Sequence, residues 1–409
     1  MFKKIYPREK YIGRIRPFFD SDIIKIITGI RRCGKSCILK AIINELIEKG
    51  IEEQEIIYVP LDKRGYKSIK TPEQLEEKIE SMILKEGFHY LFIDEVQNVV
   101  GFENVVQAYA EEGFSVFLTG SNSYLLSDEI STKLTGRYLN FETFTLDFSE
   151  YLQMKSFFQL SIHENIREEF NEFVLNGGFP KALEFPDVDS RQVYTRGIIE
   201  EIFEKDVKKR KRISNIPVFE RVQSFLLNNY SSTFSFSNLT EYLRKEGISF
   251  KDATVRGYIE DLKKAKIVYE CNRFDLKSKR SIKREQKYYL ADLAIYFAMN
   301  TDNTINFGPS LENIVYHYLV SHGYQVSVGR IGKLECDFIV RKQMMQYAYI
   351  QVAMTILSSI ETENREYRPL ESIRDNYPKY VITRDSLIQM RNGITHVNIS
   401  AHMKEGKEF

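Results

Sequence analysis

Residues 23–36, IIKIITGIRRCGKS, constrain this chain more tightly than any other stretch. Residues 23–28 form a β-branched apolar run that stops at Gly29, and Gly34, Lys35 and Ser36 complete the spacing G-x-x-x-x-G-K-S. Ile38, Leu39, Ile42, Ile43 and Leu46 follow at helical spacing. A loop with that glycine spacing, between a buried strand and a helix, is a phosphate-binding loop. Its amides turn inward around phosphate oxygens, and the helix N-terminus adds the positive end of its dipole. The lysine reaches the β- and γ-phosphates and the hydroxyl completes Mg²⁺ coordination. Gly29, Ile30, Arg31, Arg32, Cys33, Gly34, Lys35, Ser36 and Cys37 are therefore the expected nucleotide-binding residues, with Ser36 on the metal. The expected ligands are a nucleoside triphosphate and Mg²⁺.

At 409 residues the chain is too long for one ordinary core, and roughly two to four domains are expected. No run approaches the eighteen or so apolar residues of a membrane span. The charged start, MFKKIYPREKYIGR, has no apolar signal region, so export is not expected. Cys33 and Cys37 bracket the loop, where a disulfide would distort it, and the remaining cysteines, Cys271 and Cys336, show no metal-ligand spacing. A reduced cytoplasmic compartment is the expectation. Net charge is +1, so any nucleic-acid contact must come from local patches. The basic and aromatic side chains of residues 1–22 have only their position beside the loop to suggest a role.

HYLFIDEVQ (89–97) reads as a second buried strand of this kind of site. Asp94 stands where a carboxylate holds the Mg²⁺ hydration shell, and Glu95, just past the strand, where a general base polarises the attacking water. FSVFLTGSNS (114–123) is a further strand ending in small polar residues. Strands of an open parallel sheet present their carboxyl ends to the ligand. Thr119, Ser121 and Asn122 compete there for the γ-phosphate, and Asn122 is preferred because its amide both donates and accepts. Arg137, after Gly136, has the setting of an arginine finger, in cis or from a neighbouring subunit. A surface arginine without a role fits the sequence equally well. Strands alternating with helices imply an α/β domain with a parallel sheet.

GIRRCGKS, YLFIDEVQ, LTGSNS, LTGR and FTLDFSEYL together resemble a family of prokaryotic AAA-type P-loop ATP-binding proteins. These carry a C-terminal restriction-endonuclease-like domain of unknown function. NGGFPKAL (176–183), EKDVKKR (204–210), KYYLADLAI (287–295), the helix at Glu312 and ECDFIV (335–340) extend the resemblance over nearly the whole chain. Where many relatives have a tryptophan after the acidic strand, this chain has Phe102. The resemblance implies an AAA-like ATPase core at 1–150, a helical lid at 151–215, a winged-helix segment at 216–300 and a nuclease-like domain at 301–409. It also implies ATP over GTP, Lys35 and Ser36 on nucleotide and Mg²⁺, Asp94 and Glu95 on metal and water, and Asn122 as sensor.

The later segments are less definite. In the helical stretch 151–215, Gly177-Gly178-Phe179-Pro180 is either a lid element with Pro180 against the base or a plain helix-breaking turn. Lys205, Lys208, Lys209, Arg210, Lys211 and Arg212 form a basic run, which reads as a solvated helix face or a nucleic-acid contact. SFSNLTEYLRKEG, capped at Ser237, and DATVRGYIEDLKKAKIV read as helix-turn-helix before a basic hairpin, which is winged-helix architecture. Its second helix mixes Arg256, Lys263 and Lys264 with Asp252, Glu260 and Asp261, so DNA and a protein partner are equally open.

A nuclease of the C-terminal type wants a helix glutamate, a strand aspartate and an acid-x-lysine pair on the next strand. Glu312 and Asp337 meet the first two, with Glu335 beside Asp337. The last pair is Gln351-Val352-Ala353, an amide and an alanine, and nothing in the sequence replaces the lysine. The expectation is a degenerate scaffold of Glu312, Asp337 and Gln351 that binds rather than cuts. The whole then reads as a Mg²⁺-dependent ATPase coupled to a module that contacts DNA or a protein partner, with oligomer formation open. A nucleotide-gated scaffold that barely hydrolyses, or an ATP-dependent nuclease, are the alternatives.

Overall fold

The computed structural model describes every residue except 1, 3, 121–133, 135, 209–212, 214, 301–305 and 343–346. The chain divides into two units, Met1–Phe144 and Thr145–Phe409. None of the described helices is long and apolar enough to cross a membrane.

The first unit is built on a five-stranded sheet of β1 (Ile24–Thr28), β2 (Ile56–Pro60), β3 (Tyr90–Asp94), β4 (Ser115–Thr119) and β5 (Tyr138–Glu142) in the order β2-β3-β4-β1-β5. All its pairings are parallel. Every residue of β1, β3 and β4 is buried, as continuous apolar runs require when helices cover both faces of a sheet. Its α-helices among the described residues are α1 (Glu9–Ile15), α2 (Lys35–Glu48), α3 (Pro72–Glu80) and α4 (Phe102–Glu111). Thr71 caps α3 with Gln74 in a reciprocal box and Pro72 in the first turn. Phe102 is fully buried in the core with Ile26, Leu91, Ile93, Val106 and Leu118. Register decides where the site lies. Thr28 pairs with Glu142, Ile27 with Thr119 and Pro60 with Asp94, so all these carboxyl ends emerge on one edge, beside the loop.

The second unit opens with α5 (Phe148–Phe157), α6 (Ile166–Asn176) and α7 (Val188–Ile202). The turn after α6 is packed backbone to side chain. Gly178 N–H donates to Asp292 Oδ2 at 2.8 Å, and a Cβ on Gly177 would stand 1.8 Å from Asp292 Oδ1. The NGGFP and LADLA segments, far apart in sequence, are thus one local structure. Next come α8 (Ile216–Asn228), α9 (Phe236–Lys245) and α10 (Asp252–Lys264), then the antiparallel pair β6 (Val268–Asp275) and β7 (Arg280–Leu290). The cap of α9 is Ser235, whose side chain accepts from Asn238 N–H, and not Ser237 as the sequence suggests.

After α11 (Ala294–Met299) and α12 (Phe307–Ser321) follow β8 (Gln325–Ile331), β9 (Leu334–Arg341) and β10 (Tyr347–Val352). The chain ends with α13 (Ile360–Glu371), β11 (Lys379–Thr383), β12 (Met390–Arg391), β13 (Ile394–Asn398) and α14 (Ile399–Lys404). The eight strands form one sheet, β12-β13-β11-β10-β9-β8-β6-β7. β6 pairs in parallel with β8, Arg273 beside Val328, so strands from both sides of residue 300 share it. Cys336, Ile339, Tyr349, Tyr367 and Leu370 are among the residues of the core beneath it.

Candidate functional site

The loop after β1 has the backbone that its glycines predict. Gly29 lies at φ 146°, where a Cβ would meet Thr143 O at 2.1 Å. Gly34, at φ 107°, stands at the N-cap of α2 and supplies no side-chain cap, which leaves that work to a ligand anion. Lys35 is buried and its Nζ donates to Gly29 O at 2.8 Å and Ile30 O at 3.2 Å. Ile30 and Cys33 are buried, whereas Arg32 and Cys37 are exposed. Burial pushes the Cys33 thiol up, so it is inert at neutral pH. The lead-in has a definite task. Arg8, itself buried, donates from Nη1 to Cys33 O at 2.9 Å and to Phe144 O at 2.7 Å. It thereby ties the loop to the end of β5.

Asp94 closes β3 and is buried. Its Oδ1 accepts from Ser36 Oγ at 2.9 Å and from Thr119 Oγ1, and its Oδ2 from Tyr58 OH at 3.2 Å. Burial pushes the carboxyl up, and the Thr119 and Ser36 hydroxyls pull it back. Among the described residues its partners are hydroxyls, with no ion pair. That donor set fits a hydrated Mg²⁺, because a hydroxyl can turn a lone pair to a cation that an ammonium would repel. Glu95 leaves the strand at φ 59°. A left-handed non-glycine residue costs about 1–3 kcal/mol and persists where its surroundings hold it. Its N–H donates to Thr119 Oγ1 at 3.0 Å, and its carboxylate accepts from Gln97 Nε2.

Thr119, which the sequence offers only as a γ-phosphate contact, therefore links the two acids; Tyr58 and Arg8 support the site, and the sequence singled out neither. The register was the available signal for Thr119, since Ile93 pairs with Leu118 and the next residues on β3 and β4 must be neighbours. Ser121 and Asn122 lie outside the described residues. Arg137 is not brought to the loop. Its carbonyl accepts from Ile24 N–H at the opening edge of the sheet, and its guanidinium pairs with Glu111. The five residues from there to Glu142 span about 16 Å of strand, which is beyond an arginine's reach. A finger acting in cis is thereby corrected.

The second unit also gathers its expected residues. Asp337 Oδ2 accepts from Val352 N–H at 2.8 Å, and Gln351 Oε1 accepts from Asp337 N–H at 3.4 Å. Gln351 Nε2 in turn donates to Glu366 at 3.0 Å. The expectation that nothing replaces the missing lysine is corrected. Lys287, buried on β7, places Nζ 2.9 Å from Glu312 Oε1, 2.8 Å from Glu335 Oε1 and 3.5 Å from Asp337 Oδ1. Tyr289 OH donates to Glu312 Oε1 at 2.6 Å, and Arg273 Nη2 to Glu335 Oε2 at 2.7 Å. Burial, with Asp337 nearby, pushes the Glu312 carboxyl up, and Lys287 and the Tyr289 hydroxyl pull it back. Burial opposes the charge on Lys287, but the three carboxylates outweigh it and hold the ammonium protonated. Lys287 and Tyr289 share one face of β7 by strand alternation, and a lysine inside KYYLA is the signal the sequence offered.

The mixed charge of α10 is partly settled internally. Lys263 pairs with Glu260 and Glu270, and the Arg256 guanidinium lies 3.8 Å from the Phe236 ring centre. Residues 209–212 of the basic run are outside the described residues, and Lys205 pairs with Glu201.

Residues 21–152 match an AAA domain and residues 167–305 a domain of unknown function (DUF8612). An uncharacterized protein of Haemophilus influenzae is 31% identical over 386 residues, 94% of each chain. Uncharacterized protein MJ1544 of Methanocaldococcus jannaschii is 28% identical over 343 residues, 80% of this chain and 74% of its own. Among solved structures, a Walker-type ATPase of Pyrococcus abyssi aligns with a TM-score of 0.49 at 18% identity, covering 72% of this chain and 96% of that one. The Aeropyrum pernix Orc1 protein in complex with DNA aligns at 0.33 and 13% identity, over 73% and 94%. This chain belongs to the family of the Haemophilus influenzae protein, and its first unit is an AAA-type P-loop domain.

Proposed function

We propose that the chain hydrolyses ATP to ADP and phosphate in the presence of Mg²⁺. The observation that carries this reading is Asp94, fixed at the end of β3 by Ser36, Thr119 and Tyr58 and paired with no cation among the described residues. Lys35 exchanges the Gly29 and Ile30 carbonyls for phosphate oxygens. Ser36 and Asp94 hold the metal, which when bound neutralises charge on the phosphates. Glu95, aimed by its N–H bond to Thr119, orients the attacking water. Asn122 is the proposed γ-phosphate sensor, and Arg137 is proposed to serve a neighbouring copy. Phosphate release from ATP with Mg²⁺, wild type against Lys35→Ala, tests the reading: equal rates in the two would end it.

For the second unit we propose a helical lid at 151–215, a winged-helix segment at 216–300 and a nuclease-like scaffold at 301–409 that binds DNA or a protein partner without cutting. The helix, three antiparallel strands, helix and parallel strand of α12–β8–β9–β10–α13–β11 support that last assignment. The four cysteines, none of them in a disulfide, support a reduced, cytoplasmic setting. Stimulation of phosphate release by double-stranded DNA would favour the nucleic-acid partner, and indifference to it a protein.

A further inference from the structure

An intact nuclease of this type would hold a divalent ion at the positions of Glu312 and Asp337, and these side chains as placed, with Glu335 beside them, do not fit one. A small divalent ion binds oxygens at about 2.1 Å and draws neighbouring ligands to about 3 Å of one another. An ammonium does the reverse. It donates three hydrogen bonds of about 2.9 Å in tetrahedral directions, which spreads its acceptors to about 4.7 Å. Lys287 Nζ stands 2.9, 2.8 and 3.5 Å from the three carboxylates. Among the described residues, the three-carboxylate set does not close to within 4.8 Å. The group that does is His163, Glu169 and Glu172, whose acids already pair with Lys155 and Arg191.

Neighbouring donors direct these acids too. Tyr289 donates to the same Glu312 oxygen as Lys287, Arg273 holds the second oxygen of Glu335, and Val352 N–H holds the second oxygen of Asp337. An ion entering here would meet a buried positive charge.

We infer that the ammonium of Lys287 stands permanently in the place of a divalent cation, so that this cluster is metal-free by construction. The lysine comes from β7, outside the strand pair where a nuclease lysine is sought. With Arg273 on β6 it ties the β6–β7 hairpin to α12 and β9 through charge. No metal-activated water forms here, and the hairpin is a fixed partner of the sheet, not a mobile wing. The inference gives the binding-only reading a physical cause and is independent of ATP hydrolysis; plasmid nicking tests that reading separately.

The test is manganese binding to the nucleotide-free full chain, followed by loss of the free-ion electron paramagnetic resonance signal. Wild type is expected to bind no ion that depends on Asp337. Lys287→Met is expected to gain one, about a hundredfold tighter than wild type, because three buried carboxylates then lack a counter-ion. Lys287→Met with Asp337→Asn should lose it again. A wild-type ion abolished by Asp337→Asn would overturn the inference, as would a folded Lys287→Met that gains none. Should Lys287→Met not fold, wild type against Asp337→Asn still decides: an ion lost with Asp337 overturns it, and equal binding supports it.

Discussion

In the first unit a buried lysine turns away from the acid beside it; in the second a buried lysine goes into the acids. Lys35 donates to two loop carbonyls and leaves Asp94 to Ser36, Thr119 and Tyr58. Lys287 donates to Glu312 and Glu335 and lies against Asp337. The partners differ in one chemical property. A hydroxyl hydrogen-bonds a carboxylate in the absence of a cation and coordinates a cation when one arrives, whereas an ammonium has no lone pair to offer. On the proposed reading, one cluster is therefore poised for an exchangeable ion, and the other carries its own.

The largest expected effects fall on the first cluster. Asp94→Asn and Lys35→Ala should each lower ATP turnover by about 10²–10⁴-fold, read as phosphate release with Mg²⁺. Full activity in Asp94→Asn would remove the contrast, since the poised acid would not be holding the ion. Glu95→Gln should cost about 10²-fold or more in kcat; little change would make the chain a slow nucleotide switch.

In the second cluster, Lys287→Met alone should destabilise the second unit by about 3–5 kcal/mol, because it strands buried carboxylates. Adding Glu312→Gln and Asp337→Asn should return much of that. Urea unfolding monitored by hydrogen exchange in β7 and β9 measures both, and no recovery would mean that packing, not charge, holds Lys287. Supercoiled plasmid with Mg²⁺ or Mn²⁺ should stay intact.

A smaller effect is expected from Thr119→Val, which keeps the shape and removes the hydroxyl linking Asp94 to Glu95. It should lower kcat by about tenfold while nucleotide affinity changes less.

Lys25 sharpens the contrast further. Buried in β1, it donates to Ser21 O and Ser115 Oγ with no carboxylate bonded to it, and burial lowers its pKa to about 7. Between that value and the ordinary lysine range the unfolded chain binds the proton that the folded chain has released, so stability rises with pH across that window. Lys25→Met should flatten the rise in melting temperature of the first unit between pH 7 and 10; an unchanged slope would assign it to other groups.

The first site was legible because its signals are local. Gly29, Gly34, Lys35 and Ser36 act through spacing within one loop, and Asp94 and Glu95 close a strand whose apolar run marks it. Tyr58, Arg8 and the link that Thr119 makes between the two acids escaped because they depend on which strands are neighbours, and the order β2-β3-β4-β1-β5 is not written in any one segment. The cis reading of Arg137 fails for the same reason: a loop setting says that a side chain is exposed, and the parallel register with β1 says at which edge. Lys287 is hard to read from spacing, because a nuclease lysine of this type belongs on the strand after Asp337. The residue that meets Glu312 and Asp337 instead lies about fifty positions before that aspartate, on a hairpin joined to the same sheet.

The central claim, one acid cluster for an exchangeable cation and one with a built-in cation, is tested most directly by counting manganese ions on the full chain loaded with a non-hydrolysable ATP analogue. The account predicts one ion per chain, dependent on the nucleotide, lost in Asp94→Asn and retained in Asp337→Asn. A second ion, or a single ion that survives Asp94→Asn and disappears with Asp337→Asn, would contradict it.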